Sequence, residues 1–409
     1  TDKQSGGKVG PILLVILLAV LFLTLIMARF WVPFLGIGAA MLALIFLELK
    51  IKKKQSKSII LLFMILAISL FFVLGNFIRF LNFGFLPSFQ LPLEIVPSLS
   101  SSWSVARATF QEGLTQFLFG SGPATFQYQF GLYKDISLNA TNFWGVRFVQ
   151  GINAVMTHLI NLGALGTIAL LLFLALLLFE GVKALLSGHR PAISLGLIYL
   201  VLMLFLYPQN FVLYFLLFVL AALLIKSEHI EGVIAIANTP IRTFSFSLLL
   251  MILIMMSVSI IYVQVQRYLG SIYFQSSLQS FNIDGDVEKA LPKLLMALDF
   301  DSRNDLYLQN LAQAFLLKVN NIANKSTDQE SLPELQAQFS SNLGGAIQAA
   351  KRATEINPKD SQNWLVLGKV YEDVIVLVPG AAEKAIESYN EALKLEPNNP
   401  LVVTALARA

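Results

Sequence analysis

The residues of this chain best suited to chemistry lie in one aromatic, sparsely charged stretch between apolar runs, at about residues 76–156. Within it, Trp103, Arg107 and Phe110 follow helical spacing and place one guanidinium group on an otherwise apolar face, and Arg147 stands just before the next apolar run. A guanidinium group meets phosphate oxygens through two parallel hydrogen bonds, and an apolar setting strengthens that attraction. Such a face suits an anionic ligand.

Composition excludes several other kinds of site. The chain has no cysteine, which rules out disulfides, thiol nucleophiles and thiolate metal ligands. Its three histidines, His158, His189 and His229, do not pair with carboxylates at metal-ligand spacing. No basic run carries the interleaved aromatic residues of a nucleic-acid surface. We therefore expect a metal-independent protein without a cofactor and without a nucleic-acid partner.

The polar candidates also have structural interpretations. A cation at the end of a membrane span, such as Arg29, is often an interfacial anchor. Arg107 has two acidic residues nearby in sequence, Glu94 and Glu112, with which it could form an ion pair. For a general base the candidates are His158, which is more often a hydrogen-bonded structural residue near a span start, and the loop carboxylates, which include Asp135.

Two further features of the loop leave alternatives open. Arg147 is close in sequence to Trp144 and Phe148, so cation–π packing is as reasonable as ligand binding. The glycines of the turn Gly120-Ser121-Gly122-Pro123 favour a tight turn over a phosphate cradle.

Hydropathy predicts the elements that position this loop. Hydrophobic residues make up 56% of the chain and charged residues 13%, about half the charge of a soluble domain. A spanning helix needs about 20 apolar residues. The sequence predicts about seven spans, of which two lie in 11–49 and the others at 58–77, 160–180, 192–207, 211–226 and 244–265.

The distribution of lysine and arginine predicts the orientation of these spans. Five lysines lie within residues 50–57, and Lys183, Arg190, Lys226 and Arg242 flank later spans. With seven spans counted, these segments all fall on one side, which is the cytoplasmic side by the positive-inside rule. We therefore predict that the long loop and the residues after 270 lie outside the cytoplasm.

The C-terminal part, 270–409, has mixed charge and an alanine-rich helical pattern. One segment matches both helices of a tetratricopeptide repeat, with an apparent insertion at Val376–Gly380 between them. The matching positions are Trp364, Leu367, Gly368, Tyr371, Ala385, Tyr389, Ala392 and Pro397.

Partial repeats occur at Ala346–Pro358 and Ala290–Asp301, and the polar stretch 321–340 between them is predicted to be a loose connection. The pattern predicts a short α-solenoid that binds protein partners.

Residues 98–175 resemble the core of the O-antigen ligase and polymerase superfamily. The match consists of Ser-Ser-Trp-Ser-Val-Ala-Arg at 101–107 leading to Phe-Gly-Ser-Gly-Pro-Ala-Thr-Phe at 119–126, the span entry at 153–166, which ends Leu-Gly-Ala-Leu-Gly, and Ala-Arg-Phe-Trp at 28–31. With the spans, the resemblance covers about residues 1–265.

The resemblance implies an all-α, polytopic transmembrane bundle (1–269) followed by the repeat domain (270–409), in a bacterial cytoplasmic membrane. It implies a glycosyltransferase of cell-envelope polysaccharide synthesis, which moves a glycan from a polyprenyl diphosphate to a glycan, lipid or protein acceptor. The predicted catalytic residues are Arg107 and Arg29, which lie in the matching segments, and His158, which is a candidate by its residue type. The predicted substrate-binding residues are Arg147, which is a candidate by its charge, and Trp103, Asn153, Gly120 and Gly122, which lie in the matching segments.

Two departures from the family pattern keep enzymatic activity open. Family members have more spans than the seven visible here, which suggests missing upstream spans. The family's loop histidine aligns with Ile152, beside the matching Asn153, and His158 is not a motif match. The alternative is a non-catalytic, membrane-anchored scaffold whose repeats organise an envelope complex.

Overall fold

The computed structural model describes residues 31–51, 57–80, 95–224, 240–283, 285–323 and 332–409. These residues contain α-helices and one 3-10 helix, Ile136–Ala140, and no β-strand. The predicted all-α fold class is therefore confirmed. The helices before residue 230 are α1 (Trp31–Ile51), α2 (Lys57–Phe80), α3 (Leu99–Gln111), α4 (Leu114–Phe119), α5 (Phe126–Tyr133), α6 (Ala154–Leu186), α7 (Pro191–Leu206) and α8 (Phe211–Leu224). Those after it are α9 (Pro240–Asn282), α10 (Val287–Phe300), α11 (Asp305–Ala323), α12 (Leu332–Ile356), α13 (Ser361–Glu372), α14 (Ala381–Leu395) and α15 (Pro400–Arg408).

The chain divides into two compact units. The first comprises Thr1–Phe130 and Phe148–Glu228, and the second comprises Gly131–Arg147 and His229–Ala409. This division differs from the predicted boundary between residues 269 and 270, because α9 passes through that boundary without a break. It also assigns part of the long loop, residues 131–147, to the C-terminal unit. We call these residues the docked segment.

Two of the described helices, α6 and α9, are long and apolar enough to cross a membrane. In α9 every residue from 240 to 265 is exposed, although most are large and apolar. A continuous apolar surface of this length is a liability in water and is normal in lipid. The protein is therefore assigned to a membrane.

Helices are present at six of the seven predicted span positions; the other position, in the first part of 11–49, lies outside the described residues. Apart from α6 and α9, these helices have shorter apolar stretches in the described residues, namely Pro33–Phe46 in α1, Leu62–Phe71 in α2, and α7 and α8. At 16 and 14 residues, α7 and α8 rise about 24 and 21 Å, less than the ~30 Å hydrocarbon core. The count of seven spans therefore remains a prediction.

The first unit has a leucine-rich core where α6, α7 and α8 pack together. Leu174, Leu197, Leu204 and Leu217 are almost completely buried there. Pro191 starts α7 at a position where its missing N–H group has no helical partner to lose. These helices hold the start of α6, where several candidate site residues lie.

In the second unit, successive helices pack as pairs: the end of α9 with α10, α11 with α12, and α13 with α14, followed by α15. Small residues allow the close approach, and aromatic residues fill the gaps. Phe274 of α9 stacks on Tyr307 of α11 with ring centroids 4.6 Å apart. A Cβ added at Gly270 would lie 3.2 Å from the Ala297 carbonyl oxygen, so that position leaves little room for a side chain.

The polar stretch 321–340 contains more helix than predicted. α11 extends to Ala323 and α12 begins at Leu332, and the residues between them lie outside the described part. The polar composition conceals an amphipathic pattern, in which Leu335 and Leu343 are buried at helical spacing. The prediction of a loose connection is wrong for 332–340 because apolar spacing, rather than overall polarity, decides whether a helix can pack.

Gly368→Ala is expected to destabilise the second unit by about 1–3 kcal/mol, the usual cost of overpacking. An added Cβ would lie 2.4 Å from the ring of Tyr389, whose side chain is buried and whose hydroxyl donates to Glu372. Thermal unfolding of the full chain in detergent measures the effect. Gly344→Ala is the control, because it meets nothing within 4 Å in a helix and should stabilise slightly. Equal melting temperatures for the two variants would contradict the prediction.

Candidate functional site

The helix that carries Trp103 and Arg107 is α3. Ser98 caps its start by accepting a hydrogen bond from the Ser101 amide, which satisfies one of the free amides of the first turn. Trp103 is 53% exposed, and Arg107 is exposed and has no ion pair or hydrogen bond among the described residues. The opposite side of the helix is buried. The guanidinium group is therefore available to an external ligand.

The buried side of α3 fixes the backbone just before α6. Ser102 is fully buried, and its hydroxyl accepts a hydrogen bond of 3.2 Å from the amide of Ile152. Thr109, also buried, donates to the Val105 carbonyl and lies 3.2 Å from the side-chain oxygen of Gln129. Ile152 occupies the position where the resemblance calls for histidine, and it lies beside α3. The position thus lies against the buried side of α3 and carries no titratable group.

The turn at 120–122 closes against a break in α6. Gly163 leaves the helical region with φ 66° and ψ −165°, so carbonyls before it lose their helical partners. The amide of Ser121 donates to the Ile160 carbonyl at 3.0 Å, and that of Gly122 donates to the Asn161 carbonyl at 2.9 Å. These amides are already used, which favours the tight-turn interpretation of Gly120 and Gly122 over a phosphate cradle.

Asn153 and His158 lie at the start of α6. The Asn153 side chain accepts from the Met156 amide and donates to the Phe205 carbonyl, at 2.8 and 2.7 Å. Nδ1 of His158 lies 2.9 Å from the Ala154 carbonyl oxygen. Because a carbonyl only accepts, this contact favours the proton on Nδ1, so Nε2 of the neutral ring keeps its lone pair. Asn153 has a structural role, whereas His158 retains an atom that can accept a proton.

Arg147 belongs to the second unit and is already engaged there. Its guanidinium group donates to Asp360 at 2.8 Å and lies 3.5 Å from Glu396. The Glu396 carboxylate is buried and also accepts hydrogen bonds from Ser361 and Asn399, at 2.6 and 2.5 Å. The charge of Arg147 is thus balanced by two carboxylates in the turns between helix pairs.

The rest of the docked segment reinforces this contact. Asn139 donates to the Asn398 carbonyl at 2.8 Å, and Asn398 donates back to the Lys134 carbonyl at 3.0 Å. The Lys134 ammonium donates to the Trp144 carbonyl at 3.1 Å. Burial lowers the pKa of Lys134, and the nearby charge of Glu396 partly opposes that effect. The segment is bound by the turns between the helix pairs through both side chains and backbone.

Arg147→Gln is expected to weaken the docking of residues 131–147 by about 2 kcal/mol, because two carboxylates lose a charged hydrogen-bond partner. Hydrogen exchange of the segment in the intact protein measures this as a roughly thirty-fold faster exchange. Arg352→Gln is the control, since Arg352 makes an exposed pair with Glu355 that should contribute little. Unchanged exchange in Arg147→Gln would show that the ion pairs do not hold the segment.

The remaining candidate residues either lie outside the described ranges or are found at helix ends. Arg29 and Glu94 lie outside the described residues. Asp135 caps the 3-10 helix by accepting from the Ser137 amide, and that hydrogen bond lowers its carboxyl pKa. Glu112 ends α3. Within the described ranges, no group of three or more His, Asp or Glu residues could hold a metal ion.

Sequence reasoning missed the partners of these residues. Gly163, Asp360 and Glu396 had no assigned role, yet they decide how the loop is held. The Leu-Gly-Ala-Leu-Gly motif at 162–166 contained the signal for Gly163, because a glycine in an apolar run can mark a break. Nothing in the sequence distinguishes Glu396 from the other glutamates.

A scan against protein-family models and a search of curated proteins each found no match to the chain.

Proposed function

We propose that this chain is a multi-pass protein of a bacterial cytoplasmic membrane that transfers a glycan from a polyprenyl diphosphate to a glycan, lipid or protein acceptor on the outer side. The observation that carries the proposal is the state of Arg107. It is exposed beside Trp103, on a well-capped helix, with no ion pair among the described residues. An exposed guanidinium group whose charge is not balanced by a described carboxylate is suited to bind a diphosphate.

In the proposed reaction, the bond between the anomeric carbon and the diphosphate oxygen breaks as the acceptor oxygen bonds to that carbon. The diphosphate leaves with the bonding electrons, and Arg107, with Arg29 as its proposed partner, offsets the added negative charge. The acceptor proton passes to Nε2 of His158. The contact between Nδ1 and the Ala154 carbonyl supports this role, because it orients the ring. The proposed step uses no metal.

The other candidate residues have supporting roles in this proposal. Trp103 offers an exposed aromatic face on which a sugar ring can stack. Asn153, Gly120 and Gly122 shape the backbone around the site through the contacts described above. For Arg147 we propose a structural role, because its charge is already balanced by Asp360 and Glu396.

The proposed orientation follows from the cations at the span ends, and with it the loop and the residues after 270 lie outside the cytoplasm. We propose that the helix pairs are tetratricopeptide repeats that recruit protein partners. Support comes from the consensus positions: Ala385 and Ala392 are fully buried, and Gly368 lies against the ring of Tyr389. Close helix packing requires small residues at such positions.

The direct test is transfer by the purified full-length protein in proteoliposomes that contain a polyprenyl-diphosphate-linked oligosaccharide. Mass spectrometry follows the free polyprenyl diphosphate and the new glycan conjugate with a glycan, lipid or protein acceptor. Equal amounts of both products are expected, since one bond breaks for each bond formed. Protein that binds the donor lipid but gives neither product with any acceptor class would overturn the proposal.

A second candidate function, a non-catalytic envelope scaffold, is favoured by the groove between α10, α11 and α12. This groove has a volume of about 880 Å³ and is lined by apolar residues such as Leu295 and Phe315, with Lys351 and Arg352 among its polar ones. The scaffold hypothesis expects Leu295→Glu to abolish assembly with envelope partners and Arg107→Ala to leave it intact. Loss of assembly in Arg107→Ala alone would contradict it.

A further inference from the structure

Helix α3 and the helix after it carry an apolar face that is exposed among the described residues. Leu99 and Trp103 of α3 are 54% and 53% exposed, and the face continues before them at Ile95, which is 45% exposed. In α4, Leu114 and Phe117 are 72% and 43% exposed. We call these five residues the apolar stripe. It is distinct from the buried side of α3, so packing among the described residues of the unit does not explain it.

The distribution of polar residues around α3 has a definite order. At about 100° per residue, Ser104 lies about a quarter turn beyond Trp103, on an exposed sector that also contains Ser100 and Gln111. Arg107 falls between the apolar stripe and this polar sector. An amphipathic helix in a membrane interface commonly has this arrangement, with aromatic and aliphatic residues on one side and a cation at the border. The long arginine side chain can then reach the phosphate level while its stem stays in an apolar setting.

The backbone contact with α6 places the stripe at a definite level. Gly120, directly after α4, approaches Gly163 so closely that a Cβ on Gly163 would lie 2.4 Å from the Gly120 nitrogen. From Gly163 to Lys183, α6 rises about 30 Å, the thickness of the hydrocarbon core. Lys183 is exposed and marks the other end. Gly163 therefore lies where hydrocarbon gives way to headgroups.

The lipid-facing surface of α6 begins at the same level. Leu165 and Ile168, the first large apolar residues after the break, are 48% and 52% exposed. The close approach of Gly120 to Gly163 thus brings the end of α4, which carries part of the apolar stripe, to the level at which this exposed apolar surface of α6 begins. A protein partner would have to compete with lipid at this position.

We propose that the apolar stripe lies in the headgroup region of the leaflet at the Gly163 end of α6, with Arg107 bound to anionic lipid phosphates. The occupant of the stripe is the bilayer itself. Its apolar side chains leave water for the upper acyl chains, and the guanidinium group forms charge-assisted hydrogen bonds with phosphate. The inference concerns membrane contact and does not depend on the transfer chemistry.

The absence of cysteine makes a clean test available, because one introduced cysteine gives one label. Leu99→Cys, labelled with an environment-sensitive fluorophore, is reconstituted as the full chain in vesicles of phosphatidylcholine and phosphatidylglycerol. The matched control is Ser104→Cys, which is exposed on the polar sector of the same helix. A lipid spin-labelled near its headgroup and aqueous iodide serve as the two quenchers.

The lipid quencher is expected to act several-fold more strongly on the label at Leu99→Cys than on that at Ser104→Cys, with the opposite order for iodide. Equal quenching of both labels by iodide would overturn the proposal. So would a label at Leu99→Cys that neither quencher reaches, because protein would then cover the stripe. Leu114→Cys repeats the measurement in α4. Its label must show the same order of lipid and iodide quenching, relative to Ser104→Cys, as the label at Leu99→Cys.

The role of Arg107 is tested by adding Arg107→Glu to Leu99→Cys. Lipid quenching is expected to fall at least about twofold, since a carboxylate is repelled by anionic phosphates, whereas Arg107→Lys should retain it. Replacing phosphatidylglycerol by phosphatidylcholine should weaken lipid quenching in Leu99→Cys, with Arg107 intact, less than adding Arg107→Glu does. If Arg107→Glu leaves quenching unchanged, the assigned phosphate contact is wrong. Because the readout needs no turnover, its failure is distinct from a failure of the proposed function.

Discussion

Gly163→Ala is expected to prevent the first unit from reaching its folded state. Gly163 has φ 66° and ψ −165°, a region that is essentially restricted to glycine and where a Cβ costs about 1–3 kcal/mol. That Cβ would lie 2.4 Å from the Gly120 nitrogen and 2.6 Å from the Leu118 carbonyl carbon. Both are backbone atoms, which cannot rotate away. Overpacking adds about 1–3 kcal/mol or more, so the total is a large part of a typical folding free energy. Gly120→Ala should behave alike, since its Cβ would meet Asn161 and Gly163 backbone at 2.5 Å.

Two control variants separate the cost of backbone strain at positive φ from the cost of steric overlap by the added Cβ. Gly122 has φ 113° but meets only Thr125 at 3.4 Å, so Gly122→Ala adds strain alone. Gly181 lies in the same helix as Gly163 and meets a flexible Ile198 side chain at 3.2 Å, so Gly181→Ala should be tolerated. The yield of monodisperse protein and its melting temperature should rank wild type and Gly181→Ala above Gly122→Ala, with Gly163→Ala and Gly120→Ala lowest. A normal yield of Gly163→Ala would show that the two backbones are not interlocked.

Local sequence signals predicted those parts of the fold that depend on neighbours in the chain. The Trp103 and Arg107 spacing correctly predicted one helical face, and apolar runs predicted helices that include α6 and α9. The break at Gly163 was missed because hydropathy averages over a window and does not register one glycine. Its consequence depends on Ser121 and Gly122, about forty residues earlier, whose amides satisfy the freed carbonyls.

The docked segment also depends on contacts between residues that are distant in sequence, and here the distance is larger. From sequence, Arg147 has only Trp144 and Phe148 as neighbours, and its ion-pair partners are more than two hundred positions away. The pairing of Lys134 with Asn398 is equally distant. Such contacts follow from which turns the helix pairs bring together, and no local pattern records that. This is why the predicted boundary at 269/270 did not anticipate that residues 131–147 join the second unit.

Arg107→Ala is expected to lower kcat/KM for glycan transfer by about 10²–10³, the usual loss when one preorganised donor to a developing negative charge is removed. Arg107 contributes no contact to the core, so the variant should keep the wild-type melting temperature. Arg107→Lys should recover only part of the rate, because an ammonium group cannot make the two parallel hydrogen bonds of a guanidinium group. Initial rates in proteoliposomes, measured across donor concentrations, separate kcat from KM.

The matched control is Arg303→Ala, which removes another exposed arginine, from a turn of the second unit, and should leave transfer unchanged. The division of the loss between kcat and KM then distinguishes two roles of Arg107. If the guanidinium group only holds the lipid surface, Arg107→Ala raises KM for the membrane-bound donor and spares kcat. If it stabilises the departing diphosphate, kcat falls as well, because that charge develops only in the transition state. Wild-type kinetics in Arg107→Ala would instead reject the role assigned to Arg107 in the transfer step.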